Sequence, residues 1–153
     1  MVRFVLPIAL FTGGLAGGAL MLSVLGGAPL LLALPADRYI TVHQFLVTRF
    51  DPFMPVNLAI AFASDIIIAV TASTDGVRSL AATAAALYLA VMCVSLTRNV
   101  PINKWIAAVD PDAVPADWEE IDPRQRWSDW NRVRSGLAVA ALLLNVLTVG
   151  VVA

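Results

Sequence analysis

The sequence predicts an all-α membrane protein: a four-transmembrane-helix bundle with a long, Trp-rich, partly helical loop between spans three and four. Three observations predict it. The chain of 153 residues is 59% apolar and 14% charged, with mean hydropathy +0.82, whereas a soluble domain carries about 25% charged residues. Four apolar runs follow one another in a single membrane domain, 1–153, each long enough for the roughly 20 helical residues that cross a hydrocarbon core. These runs lack the polar–apolar alternation of a small barrel. Lipid-facing backbone must satisfy its own hydrogen bonds, so helices are the assignment left.

Phe4 to Ala36 carries no charge. It is roughly twice as long as the apolar part of a secretory signal, and is expected as span one, about 4–34. Within it, Gly13 with Gly17 and Gly14 with Gly18 keep the four-residue spacing that lets helix backbones approach closely. Packing inside the bundle is the expected use; a homodimer seam and a flat ligand pocket are the alternatives. Asp37 to Phe50 is too polar to cross but sets Ile40, His43, Val47 and Phe50 near helical spacing, as an interfacial helix would. Asp51-Pro52 reads as an N-cap and first helical residue opening span two, about 55–74. Asp75 to Arg78 then form a tight link that makes spans two and three (about 79–97) antiparallel neighbours. Asp122-Pro123 is a second start signal, from which one helix runs to the end. Its first turns project from the membrane, and span four occupies about 130–152.

The large loop, 98–133, is where chemistry is expected. The stretch from Arg98 to Arg134 contains 13 of the 21 charged residues and all four tryptophans, Trp105, Trp118, Trp127 and Trp130. Pro101 is expected to start a short amphipathic helix there. Arg38, Arg49, Arg98, Lys104, Arg124, Arg126, Arg132 and Arg134 lie on this side of the bundle, against Arg3 and Arg78 on the other. The bias predicts a cytoplasmic large loop in a cell inner membrane, with both termini outward. A net charge of −1 gives no basis for a nucleic-acid partner; the bilayer is the expected partner, and a homo-oligomer is left open. One Cys and one His exclude a disulfide framework, a Cys-x-x-Cys pair and a bis-His haem. A metal on His43 with carboxylates is permitted but not suggested, and none is expected.

Several polar residues stand out against this background. Asp65, near the centre of a span, costs at least about 2.5 kcal/mol unless it faces protein or water; it either fixes helix packing through a hydrogen bond or serves a substrate or proton. His43 is the one side chain whose ordinary pKa lies near neutrality, and so a candidate base, or merely a solvated interfacial residue. The segment RNVPIN places Asn99 and Asn103 around Pro101, as cappers of freed carbonyls or as members of a site. In RWSDWNRVR, Trp127, Asn131 and Arg134 share one helical stripe with Trp130 beside it and Arg126 one turn earlier. That is an aromatic wall with polar tips, or an interfacial belt.

The four-span order, NVPIN (Asn99 to Asn103) directly after span three, and RWSDWNRVR (Arg126 to Arg134) leading into span four resemble the anthrone oxygenase-like family of small integral membrane proteins. The resemblance implies oxidation of a hydrophobic polycyclic, anthrone-like substrate in a polyketide pathway, without flavin, haem or metal and with O2 as co-substrate. It also frames the candidates. His43, or less favourably Asp65, would be the base; Arg134, Asn99, Asn131 and Asn103 would stabilise the anion; Trp127 and Trp130 would stack on the substrate; Arg126 would orient these groups or the helix. Two other functions remain open at this point. One is a membrane-bound isomerase or cyclase of a hydrophobic polyketide, and the other a non-catalytic lipid-binding or structural bundle.

Overall fold

A computed structural model describes residues 1–152, which form helices and no strands among the described residues. Four of the helical segments, Val2–Ala33, Phe53–Thr71, Asp75–Ala107 and Trp118–Val152, are long and apolar enough to cross a membrane, as in an integral multi-pass membrane protein. Helices α1 (Val2–Leu22), α4 (Phe53–Thr71), α5 (Asp75–Val94) and α8 (Arg124–Val152) close a ring in which α1 packs on α4, α4 on α5, α5 on α8 and α8 back on α1. The predicted link between spans two and three is shorter than the charges suggested. Asp75 to Arg78 already belong to α5, and only Ala72 to Thr74 connect it to α4. Asp75 in the first turn suits the helix dipole, so charge marks the edge of the membrane here rather than the end of the helix.

Small residues let the ring close. Ala16, Ala61, Ala84, Ala138 and Ala141 are buried with Leu20, Leu58, Tyr88 and Val91 at its centre. Gly13 and Gly17 are also buried; a Cβ on Gly13 would collide with the Tyr88 hydroxyl of the facing helix. The glycine spacing therefore serves packing within the bundle.

Spans one and three are both longer than one regular helix, and both contain the same irregularity. After α1 the chain makes a single π-helical turn, Ser23–Gly27, and continues as α2 (Ala28–Ala33); after α5 it makes another, Ser95–Asn99, and continues as α6 (Val100–Ala107). In each, an N–H reaches five residues back, Ala28 to the Ser23 carbonyl and Val100 to that of Ser95, and a proline follows at once, Pro29 or Pro101. Proline lacks a donor and crowds the carbonyl four residues before it; a widened turn is one of the few ways a helix absorbs that. Pro101 thus does not start a separate loop helix, and the segment 98–107 expected in the loop extends span three.

The bundle end that carries the charges is covered. Helix α3 (Ala36–Phe50) lies across it, burying Tyr39, Ile40 and His43 against Ile102 and Ile106 of α6, Trp118 of the short α7 (Trp118–Ile121) and Trp127. Gln44 pins α3 in place by donating to the carbonyls of Ile106 and Val109, 2.9 Å each, at the end of α6. Asp122 starts α8 as expected, its carboxylate accepting the Arg124 N–H at 2.9 Å. Arg124, paired with Asp122, also donates to the carbonyl of Leu34 at 2.6 Å, tying the start of α8 to the end of α2. Asp51, read as the cap of span two, makes no capping bond: Pro52 occupies the cap position and α4 begins at Phe53.

Candidate functional site

Two segments far apart in sequence meet beneath α3. Asn103, on α6, is the hub. Its Oδ1 accepts the Trp127 indole N–H at 2.9 Å and lies 3.0 Å from His43 Nε2. Trp127 can only donate, which fixes the oxygen of Asn103 toward both partners. His43 Nε2 therefore carries the proton, and in the neutral ring Nδ1 holds the lone pair. Nδ1 is buried and has no hydrogen-bond partner among the described residues. Tyr39 and Trp127 each pack edge-to-face with the imidazole, with ring centroids 5.3 and 5.2 Å away and planes inclined by 71° and 69°. Burial lowers the His43 pKa below its ordinary 6.5, against a smaller opposing effect of the Asn103 hydrogen bond. The ring is thus biased toward its neutral form, with the Nδ1 lone pair unshared.

Asn99, the last residue of the second π-turn, is fully buried and donates to the Trp127 carbonyl at 3.1 Å. The two carboxamides of NVPIN therefore grip one residue, Asn99 by its main chain and Asn103 by its side chain. They do not cap their own helix, the structural alternative suggested by the sequence.

Farther along α8, Arg134 donates through Nε to Asn131 Oδ1 at 2.9 Å and through a terminal nitrogen to Ser95 Oγ at 3.3 Å. Asn131, itself fully buried, donates to Ser23 Oγ at 3.0 Å. No carboxylate pairs with Arg134 within ion-pair distance among the described residues. Its direct contacts are all neutral, and the nearest carboxylate influence comes from Asp51, beyond ion-pair distance on the edge of the same cavity.

His43, Asn103, Trp127 and Arg134 all face one cavity of about 420 Å3. Leu20, Leu31, Leu46, Met54, Leu58 and Met92 supply most of its apolar wall, and Ser23, Ser95 and Asp51 add polar edges. Leu22 and Leu96, both exposed on the outside of the bundle, also line it.

The remaining sequence candidates stand elsewhere. Asn99 and Asn131 lie behind the wall, holding Trp127 and Arg134 respectively. Trp130 is half-buried outside the cavity, its ring under the Arg98 guanidinium at 4.8 Å, and Arg126 is exposed. Asp65 is fully buried in the bundle interior, where Asn145 donates to it at 3.2 Å, and does not reach the cavity. Ser23 and Ser95 are the cavity residues that the sequence reading lacks; a serine six residues before a proline in two apolar runs was the available signal. Asp51, which the sequence offers as a helper of His43 or a cap, stands at the cavity edge.

The donor set offers one His and no cluster of three metal-ligating side chains among the described residues. What the arrangement can do is accept a proton at His43 Nδ1 and hold an anion at Arg134, beside an apolar compartment. Comparison with known proteins adds the family. No curated protein and no solved structure matches the chain, but the family model described as anthrone oxygenase matches residues 43–144. That match begins at His43, runs through NVPIN and the start of α8, and covers well over half of the sequence, so the chain belongs to the anthrone oxygenase family.

Proposed function

We propose that this protein is a membrane-embedded oxygenase that needs no cofactor and acts on a flat, hydrophobic, anthrone-like substrate, with the bilayer as the substrate's reservoir. The observation that carries the proposal is the meeting of an unpartnered imidazole nitrogen and an arginine that no carboxylate pairs within ion-pair distance at one largely apolar cavity. About 420 Å3 falls within the range of small-molecule sites, and a tricyclic aromatic fits it in size. The lipid-facing rim at Leu22 and Leu96 gives such a molecule a route that avoids water.

An anthrone carries a CH2 made acidic by its two flanking rings and the conjugated carbonyl. His43 Nδ1 takes one proton from it, leaving a carbanion whose charge is delocalised onto the carbonyl oxygen. Arg134 stabilises that oxygen, and the fixed donors around it cost no reorganisation as charge develops. The electron-rich anion passes one electron to O2; the resulting radical and superoxide combine in a C–O bond, and His43 returns the proton to the peroxide. Loss of water, with the second hydrogen of the original CH2 leaving as a proton, breaks the O–O bond and forms the new carbonyl. One CH2 and one O2 thus become one C=O and one H2O. Trp127 forms a wall of the compartment while its N–H holds Asn103, and Asn103 keeps the His43 tautomer that leaves the Nδ1 lone pair unshared. Asn99 and Asn131 act through the residues they hold. In this reading the large-loop side faces the cytoplasm of a cell inner membrane, following the Lys and Arg bias.

The test is O2 uptake and quinone formation by purified protein given an anthrone under air and under nitrogen, with metal content measured on the same sample. The expected result is stoichiometric uptake by metal-free protein. Product formed without O2 uptake would instead identify an isomerase or cyclase, and absence of any product would remove the oxygenase reading.

A further inference from the structure

We propose that Ser23 and Ser95 are a matched pair of positioning residues, set by the two π-turns, that hold the Arg134 guanidinium over the cavity from opposite helices. The inference deepens the function proposed above and rests on it for its catalytic consequence, but the positioning itself stands on geometry alone. The two turns share one grammar. Each begins with serine, ends in an N–H bond to that serine's carbonyl five residues back, and is followed by proline: Ser23 to Pro29 on span one, Ser95 to Pro101 on span three.

The prolines account for widened turns but not for the serines. Threonine, alanine or glycine would accompany a π-turn in an apolar span equally well. What the serines do is specific to the neighbouring α8. Ser95 Oγ donates to the Val91 carbonyl at 2.8 Å, which turns its lone pairs outward, and Arg134 donates to that oxygen at 3.3 Å. Ser23 Oγ accepts from Asn131 at 3.0 Å, and the oxygen of the same carboxamide accepts from Arg134 Nε at 2.9 Å. The guanidinium is thereby held from span three directly and from span one through Asn131. Both serines also face the cavity, so a hydroxyl lost from either leaves the arginine free to swing toward the other support or toward Asp51 across the cavity. A buried amide that loses its acceptor likewise has reason to rotate.

The experiment has an arm that needs no substrate. Phenylglyoxal modifies arginines at a rate set by access and mobility, and peptide mass spectrometry reads Arg134 separately from Arg124, which is paired with Asp122 and serves as internal control. Full-length protein in detergent is compared with Ser95→Ala, Ser23→Ala and Ser95→Thr. Loss of the Ser95 hydroxyl should speed modification of Arg134 by about tenfold, the scale of one hydrogen bond to a charged group, with a smaller rise for Ser23→Ala. Ser95→Thr, which keeps the hydroxyl, should return the rate toward wild type, and Arg124 should not change. An Arg134 rate in Ser95→Ala within about twofold of wild type overturns the proposal, whatever the protein's activity. The second arm is turnover of an anthrone. Ser95→Ala should lower kcat about tenfold with little change in KM, because the arginine acts on charge that develops during reaction. A changed Arg134 reactivity without turnover in wild type would leave the positioning standing and refute the oxygenase reading instead.

Discussion

The two halves of the bundle each bury an ionisable or polar cluster, and they treat it in opposite ways. On the loop side, His43, Asn103, Trp127, Arg134 and Asn131 form chains of hydrogen bonds that end at a cavity lined in part by exposed residues of the bundle's outside, Leu22 and Leu96. On the far side, Asp65 and Asn145 pair in the interior near Tyr88, sealed by Ala9, Ala16, Ala61, Ala81 and the close approach at Gly13. Both clusters pay the cost of polar groups in a membrane protein's core. Access to a compartment, rather than burial or ionisability, separates a candidate site from a packing device. Asp65 stands out on the sequence as a carboxylate at mid-span that must face protein or water, and the geometry gives it the packing role, through Asn145.

Mutations sharpen this contrast. The largest effect should come from His43→Ala, with kcat for anthrone oxidation falling by about 10³-fold, within the span typical of a lost general base; O2 uptake by the variant at wild-type rate would remove His43 from the mechanism. Arg134→Ala should follow at about 10²-fold, the scale of a lost oxyanion donor, with the folded fraction by gel filtration unchanged. The pH profile comes next. Because burial holds the His43 pKa below 6.5, the base is already neutral at pH 7, so kcat should be level through neutrality and fall about tenfold per unit on an acid limb below that pKa. The same shift has a sign for stability: as pH drops below 6.5 the unfolded chain takes up a proton that the folded one resists, so stability falls there and not on the alkaline side. Trp127→Phe keeps the wall and removes the donor to Asn103; a loss of about fivefold to tenfold in kcat is expected from that one hydrogen bond, and an unchanged rate would show that the Asn103 orientation does not depend on it. Asp65→Asn, on the sealed side, should change turnover by less than about twofold, since it touches no group of the cavity, while altering thermal stability. A collapse of turnover in well-folded Asp65→Asn protein would erase the distinction between the two halves.

Much of this was legible in the sequence. Hydropathy gave the four spans, the stripe Ile40–His43–Val47–Phe50 gave the covering helix, and Asp122-Pro123 gave the start of α8. RNVPIN and RWSDWNRVR contain the groups that meet at Trp127. What was not legible has physical causes. Helix ends and membrane edges are different boundaries, so the charges at Asp75 to Arg78 predict a link although they form the first turn of α5. Proline signals a helix start only when the preceding turn is regular; behind a π-turn, Pro101 continues span three. Periodicity places Trp127, Asn131 and Arg134 on one stripe, yet a stripe has two edges. Only the facing helices decide that Arg134 reaches the cavity while Asn131 stands behind it holding the arginine in place.

The rim at Leu22 and Leu96 carries one more consequence. In the proposed function the compartment fills through its side, from between acyl chains, and so responds to how crowded the membrane is with substrate and not to how much is dissolved around it. Adding inert lipid at fixed total substrate then slows the protein as surely as dilution slows a soluble enzyme, and saturation is reached at a mole fraction rather than at a molarity.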